Sequence, residues 1–411
     1  MDKPELLAPA GNLDKLKTAF LYGADAVYIG GEEFSLRAAA GNFTAREMRE
    51  GVKYAHDLDK KVYLTANIVP HNADIEEYAV FLTEALDADV DAVIVSDLGL
   101  FGMTRELAPH IDIHISTQAG CTNYKTAAMW HELGANRVIL AREVSLAEIR
   151  EIRAQTPASL EIEAFVHGAM CVSYSGRCLL SNYLTHRDAN RGECAQPCRW
   201  KYFLMEEQRP NEYLPVFENE RGTFIQNSKD LCMLEHVDKL IEAGVTSFKI
   251  EGRVKTDYYV AAVVKCYRAA IDAYCADPEN YKFDAALLDE VKKVSHRDYT
   301  TGFFLEKPTG KAQRYANNSY LRDYDLIGIV LDFDAETNTA VITQRNRFFV
   351  GDSVEFLQPY GTFHEQIIEH MTDEAGLPID VANKPQSIIR VKTDIPIAKG
   401  SMVRKKTTNF P

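Results

Sequence analysis

Five of the chain's eight cysteines, Cys171, Cys178, Cys194, Cys198 and Cys232, fall between positions 171 and 232. Their spacing is Cys-x6-Cys-x15-Cys-x3-Cys, with Cys232 a further x33 along. Thiolates are soft ligands, and four of them complete a 4Fe–4S or a zinc site. Structural zinc sites usually pair Cys-x2-4-Cys units, and only Cys194 and Cys198 are spaced that way. The alternative to both is buried, inert thiols, since free cysteine is among the most buried residue types. Gly168, Gly176 and Gly192 suit a backbone that must wrap closely around a ligand. Five candidates compete for four positions. Cys266 and Cys275 fall on a helical pattern and Cys121 follows a strand, so these three read as packing residues.

The same stretch carries Arg177, Arg187, Arg191 and Arg199, with Lys201 and His186, against only Asp188 and Glu193. Guanidinium forks match phosphate and carboxylate in two-point geometry. The whole chain has a net charge of −14, which argues against general affinity for nucleic acid. Any RNA binding must therefore come from a local basic surface. Tyr174, Tyr183, Trp200 and Tyr202 lie among these arginines. Aromatics beside cations stack the bases of single-stranded RNA. A solvated loop with packed aromatics would share this composition.

These residues must be positioned by the elements around them. Eight short β-rich runs occur in the first 252 residues: Glu5–Pro9, Ala26–Gly31, Val62–Asn67, Ala92–Asp97, Ile111–Thr117, Arg137–Arg142, Leu160–Val166 and Ser247–Gly252. Helical patterns such as Leu13–Tyr22, Thr44–Asp59, Asp74–Leu86 and Ser145–Gln155 separate them. Thr44 with Glu47 reads as a capping box. Eight alternating units predict an α/β fold, a β/α (TIM-like) barrel, with an open doubly wound sheet as the alternative. The connection 167–246 is far longer than a crossover needs and reads as a Cys-rich insertion. Within it, Tyr213–Phe217 and Thr223–Gln226 predict a hairpin, and Ser228 a helix cap for a helix running toward Ala243. A helix over Asp257–Cys275 completes a barrel domain spanning 1–295. A linker at 296–324 and a small all-β barrel domain at 325–411 follow.

In such a barrel, chemistry gathers at the strand C-termini. Asn67, Asp97, Ser116, Gln118, Arg142, His167, Glu251 and Arg253 are predicted there, with the cysteine segment covering the same mouth. Arg142, His167 and Arg253 are the catalytic candidates: two cations for an anionic substrate and one acid or base. Ion pairs with Glu143 or Glu251 and a packed histidine are the structural alternatives. The sequence has no HExxH, GxSxG or P-loop pattern. No apolar run is long enough to span a membrane, and the charged N-terminus lacks a signal peptide's apolar core. A cytoplasmic location is the expectation.

Glu163–Ser181 (EAFVHGAMCVSYSGRCLLS) resembles the signature of the collagenase-like peptidase family, peptidases of unknown catalytic type. Pro4–Gly11 (PELLAPAG), Asp25–Gly30 (DAVYIG), Leu140–Glu143 (LARE) and Lys249–Arg253 (KIEGR) are further family-like blocks. The architecture most resembles the branch that performs prephenate-dependent tRNA hydroxylation. The resemblance implies a 4Fe–4S cluster, prephenate or a similar small dicarboxylate as co-substrate, and 5-hydroxyuridine at the wobble position as product. It implies the tRNA anticodon loop as macromolecular partner, with a related subunit as a further possible partner. Cys171, Cys178 and Cys194 match the first three ligands; Cys198 and Cys232 compete for the fourth. Other branches hydroxylate ribosomal RNA or a quinone precursor, and the family name implies peptidase activity.

Overall fold

The structure, a computed structural model, describes residues 3–36, 41–171, 173–174, 177–200, 228–306, 321–361 and 363–407, with the backbone pairing of four two-residue strands between 204 and 223. Seven parallel strands begin the barrel: β1 (Glu5–Pro9), β2 (Ala26–Gly30), β3 (Lys61–Ala66), β4 (Ala92–Val95), β5 (Asp112–Ile115), β6 (Arg137–Ile139) and β7 (Glu161–Ala169). After β8 (Asp230–Cys232) comes β9 (Ser247–Ile250), which pairs in parallel with both β7 and β1. That double pairing closes the ring and excludes the open sheet. The strands are buried along their length, which is why they read as continuous apolar runs.

Helices return the chain between strands: α1 (Leu13–Leu21), α2 (Ala45–His56), α3 (Asp74–Asp87), α4 (Leu98–Leu107), α5 (Tyr124–Leu133) and α6 (Leu146–Ala154). Thr44 caps α2 and Ser145 caps α6, each in a complete capping box with Glu47 and Glu148. Inside the barrel Arg137 bonds Glu5, Glu161 and Glu163, and Lys249 Nζ donates to Glu163 at 2.7 Å. Arg137, Glu163 and Lys249 are buried there, so removing one partner strands the others.

The insertion opens with the short helix α7 (Leu180–Thr185). The predicted hairpin falls mostly outside the described residues. The pairs described there are Leu204–Met205 with Tyr213–Leu214, and Glu218–Asn219 with Gly222–Thr223. The helix predicted from Ser228 is corrected: β8 stands there first, antiparallel to the far half of β7, and α8 (Val237–Glu242) is short. The physical reason is long-range. Asp230 is held by the Arg297 backbone N–H and guanidinium, and β8 finds its partner across the sheet. The presumed linker likewise begins inside the barrel sheet, after α9 (Asp257–Ala276) and α10 (Ala285–Lys292), as β10 (Tyr299–Thr300) beside β8.

The C-terminal unit is all-β. It comprises β11 (Tyr324–Asp334), β12 (Thr339–Gln344), β13 (Ser353–Leu357), β14 (His364–Ile367), β15 (Met371–Thr372), β16 (Ile388–Lys392) and β17 (Met402–Lys406). They form one antiparallel sheet in the order β14-β13-β17-β11-β12-β16-β15. It curls enough for Gln366 on β14 to donate to the Lys392 carbonyl on β16. Its core includes Ile327, Val330, Phe348, Phe356 and Val391.

Candidate active site at the barrel mouth

The C-terminal ends of the barrel strands and the cysteine-bearing insertion enclose a cavity of about 190 Å³. The barrel contributes Tyr28, Thr65, Asn67, Gln118, Arg142, Phe165, Glu251 and Arg253. The insertion contributes Cys171, Cys178, Cys194 and Cys198, with Arg187 and Arg199. β7 delivers the first cysteine. It runs straight into Met170 and Cys171, and Gly168, at φ +111°, lets it pass against the Glu251 backbone.

Four cysteines, remote in sequence, therefore face one space. Burial pushes the Cys198 thiol up to about 11; Arg199 opposes this, while Cys171, Cys194 and Cys178 add to it. Cys178 Sγ accepts the Leu180 N–H at 3.3 Å. Among the described residues no three His, Cys, Asp or Glu side chains converge as ligands of a single ion would. The donor chemistry nonetheless suits a soft-metal group: four thiols facing one space are soft donors that a shared cation would hold together.

Cys232 is placed apart from the other four candidate ligands. It lies on β8 opposite His167, outside the cavity, and burial pushes its thiol up to about 12. Cys121 and Cys266 are core residues.

The cavity wall is cationic. Arg142 lies with its guanidinium carbon 4.2 Å from the Phe165 ring centroid. Among the described residues neither Arg142 nor Arg187 has a carboxylate partner. Arg253 is buried, and its Nη1 donates to Ser35 Oγ at 2.7 Å and Thr65 Oγ1 at 3.0 Å, while Nη2 donates to the Leu36 carbonyl. Gly30 makes this possible, because a Cβ there would sit 2.1 Å from Nη1. Arg199 is tied to Gln196 at the rim. Glu251 is the one carboxylate among the described lining residues.

Other predicted residues fall elsewhere. His167 does not line the cavity. It is buried outside the cavity, ringed by Tyr259, Tyr267 and Tyr299, and burial drives its pKa down to about 3, so it stays neutral. Arg191 makes a two-point ion pair with Asp74 at 2.6 and 2.7 Å and does not line the cavity. Those hydrogen bonds hold Asp74 down to about 2. Arg177 is exposed and does not line the cavity. Asp97 caps α4, and Ser116 receives the Asn67 amide at 3.2 Å. Exposed Tyr174, Tyr183 and Trp200 stand on the insertion near the arginines; Tyr202 lies outside the described residues. Tyr28 and Phe165 were missed because a single strand does not reveal which of its faces looks into the mouth. Gln196 and Asn190 carried no sequence signal.

Comparison with known proteins agrees with this architecture. The model of peptidase family U32 matches residues 11–314, and that of the peptidase family U32 C-terminal domain matches 322–404. The chain is 45% identical to tRNA hydroxylation protein P1 of Bacillus subtilis, over 98% of this chain and 95% of that protein. It is 40% identical to tRNA hydroxylation protein P of Escherichia coli, over 93% of this chain and 92% of that protein. A 23S rRNA 5-hydroxycytidine synthase of Escherichia coli is 38% identical, over 74% of this chain and 46% of that protein. With both family models matched in order along the chain and two relatives similar over nearly its full length, the chain belongs to peptidase family U32.

Proposed function

We propose that this protein hydroxylates a pyrimidine base of RNA, the wobble uridine of tRNA in the first instance, and that Cys171, Cys178, Cys194 and Cys198 hold a 4Fe–4S cluster for that reaction. The observation that carries the reading is the gathering of these four thiols in one cationic cavity at the barrel mouth. The near full-length similarity to tRNA hydroxylation proteins supports the substrate. Such a cluster, held by four cysteines, would supply electron transfer.

The chain's own residues have separable tasks. Arg142, over the Phe165 ring, and Arg187 bind the carboxylates of a small dicarboxylate such as prephenate. Arg253 provides a fixed positive wall, since the barrel's own oxygens hold its fork. Asn67 and Gln118 offer amide groups to orient a base edge. Tyr174, Tyr183 and Trp200 present exposed rings on which unpaired bases stack, with exposed Arg177 for the phosphates. A wobble base already lies in a loop, so drawing it into the mouth costs little unstacking.

A Cys–His peptidase centre needs a histidine beside a thiol, and no histidine is among the described residues lining the cavity. Nucleoside mass spectrometry of tRNA from a deletion strain tests the reading. 5-Hydroxyuridine should vanish and return with the wild-type chain but not with Cys171→Ala. Undiminished 5-hydroxyuridine in the deletion strain overturns the substrate. Iron and sulfide analysis of anaerobically purified protein tests the cluster, and stoichiometric zinc without iron overturns it.

A further inference from the structure

The short 3-10 turn Ala189–Arg191 joins the insertion to the barrel. Asp188 starts it, its carboxylate accepting the Asn190 N–H at 2.8 Å. Arg191 reaches Asp74 at the head of α3. The Asn190 carbonyl accepts the Val69 N–H at 3.0 Å. Val69 and Asp74 both lie in the chain just after β3, so the turn is fastened to the barrel at two points. The Asn190 side chain points the other way, to a cysteine. Its Oδ1 accepts the Cys178 N–H at 3.2 Å, and its Nδ2 donates to the Cys178 carbonyl at 3.2 Å. One amide thus meets both backbone polar groups of Cys178, as a neighbouring β-strand would.

We propose that Asn190 is a positioning residue that clamps Cys178 to the barrel and so fixes where its thiol stands among the four. The proposal rests on the reading that these thiols hold a soft-metal cluster, and it assigns the contact that holds one of them in register. The residue type follows from the geometry. Aspartate keeps the acceptor and loses the donor, leucine loses both, and glutamine is one methylene too long for the reach. The consequence is entropic and electronic. A ligand already fixed loses less freedom when it binds, and groups around metal ligands change metal affinity by about 10–100-fold. The Leu180 N–H bond to Cys178 Sγ depends on the same placement.

Asn190→Ala and Asn190→Asp, made in the full-length chain and handled anaerobically, test this with two readouts. The first is the iodoacetamide alkylation rate of each cysteine in metal-free protein, read by mass spectrometry. In Asn190→Ala, Cys178 should react about tenfold faster while Cys171, Cys194 and Cys198 keep their rates, with Asn190→Asp between. The second is iron loss from reconstituted protein to a chelator, which should quicken by about 10–100-fold in Asn190→Ala. Wild-type values for both overturn the proposal. So does equal acceleration at all four cysteines, which marks general loosening. If the wild-type chain takes up no iron while Asn190→Ala still frees Cys178 alone, the cluster reading fails and the positioning role stands.

Discussion

Cys198 and Cys232 are equally thiols, but their surroundings are not equivalent. Cys198 shares the cavity with three other cysteines and four arginines; Cys232 sits in the β8 ladder, where its thiol is kept protonated by burial. Cys198→Ala should therefore lose more than half of the bound iron. Cys232→Ala should keep the wild-type iron content and cost about 1 kcal/mol in urea unfolding. His167 carries a different prediction. Its pKa is about 3 in the folded chain against 6.5 for an ordinary histidine. Above pH 6.5 both folded and unfolded imidazoles are neutral, and stability is fully expressed. Below it the unfolded chain takes a proton that the folded chain refuses, so stability falls by about 1.4 kcal/mol per pH unit until the folded group titrates. In His167→Gln the loss of stability between about pH 7 and pH 5 should shrink by about 2 kcal/mol, measured by denaturant unfolding at each pH.

At the scale of elements, the long strand β7 decides the site. Its near half pairs with β6 and its far half with β8, and it hands the chain to Cys171 at the mouth. Gly168 is the point where β7 passes Glu251. A Cβ there would lie 2.6 Å from the Glu251 carbonyl oxygen, on a backbone of positive φ. Gly168→Ala should cost about 2–3 kcal/mol in urea unfolding and lower iron content as well, because Cys171 and Glu251 shift together. Such features differ in how legible they are. The capping box of Thr44 and Glu47 is a contact between residues three apart, so the sequence displays it. The β8 strand was mistaken for a helix, because what makes it a strand is β7 and Arg297, both far away in the chain. Arg191 read as a substrate contact for the same reason: Asp74, which engages it, is more than a hundred residues earlier.

The whole molecule is two hydrophobic cores joined by a buried ionic lock. Arg404 on β17 is fully buried and bonds Glu290 at the end of α10 and Glu355 on β13, with Tyr258 of α9 beside it. Tyr22 donates to the carbonyls of Leu357 and Gly400 across the same seam. Arg404→Met leaves Glu290 and Glu355 with Lys293 as their shared cation and should cost about 3 kcal/mol. Calorimetry should then show the C-terminal sheet melting apart from the barrel, and adding Glu290→Gln and Glu355→Gln should restore part of the loss. The acidic total charge of −14 and the cationic mouth are compatible at this scale, because folding gathers the insertion's arginines on one side.

The sequence by itself determined the alternation of strands and helices, the all-β C-terminal unit and the gathering of thiols and arginines on the seventh connection. Those follow from periodicity, residue chemistry and chain order, which need no knowledge of distant contacts. The pairing of β9 with both β7 and β1 decided that the sheet closes. Only the tertiary structure decided which thiols share a cavity, that Cys198 stands with them and Cys232 does not, and that His167 and Arg191 are held by packing and pairing. Each of those outcomes depends on which remote segments meet: β8 against β7, the insertion against α3, and Arg253 against the loop after β2.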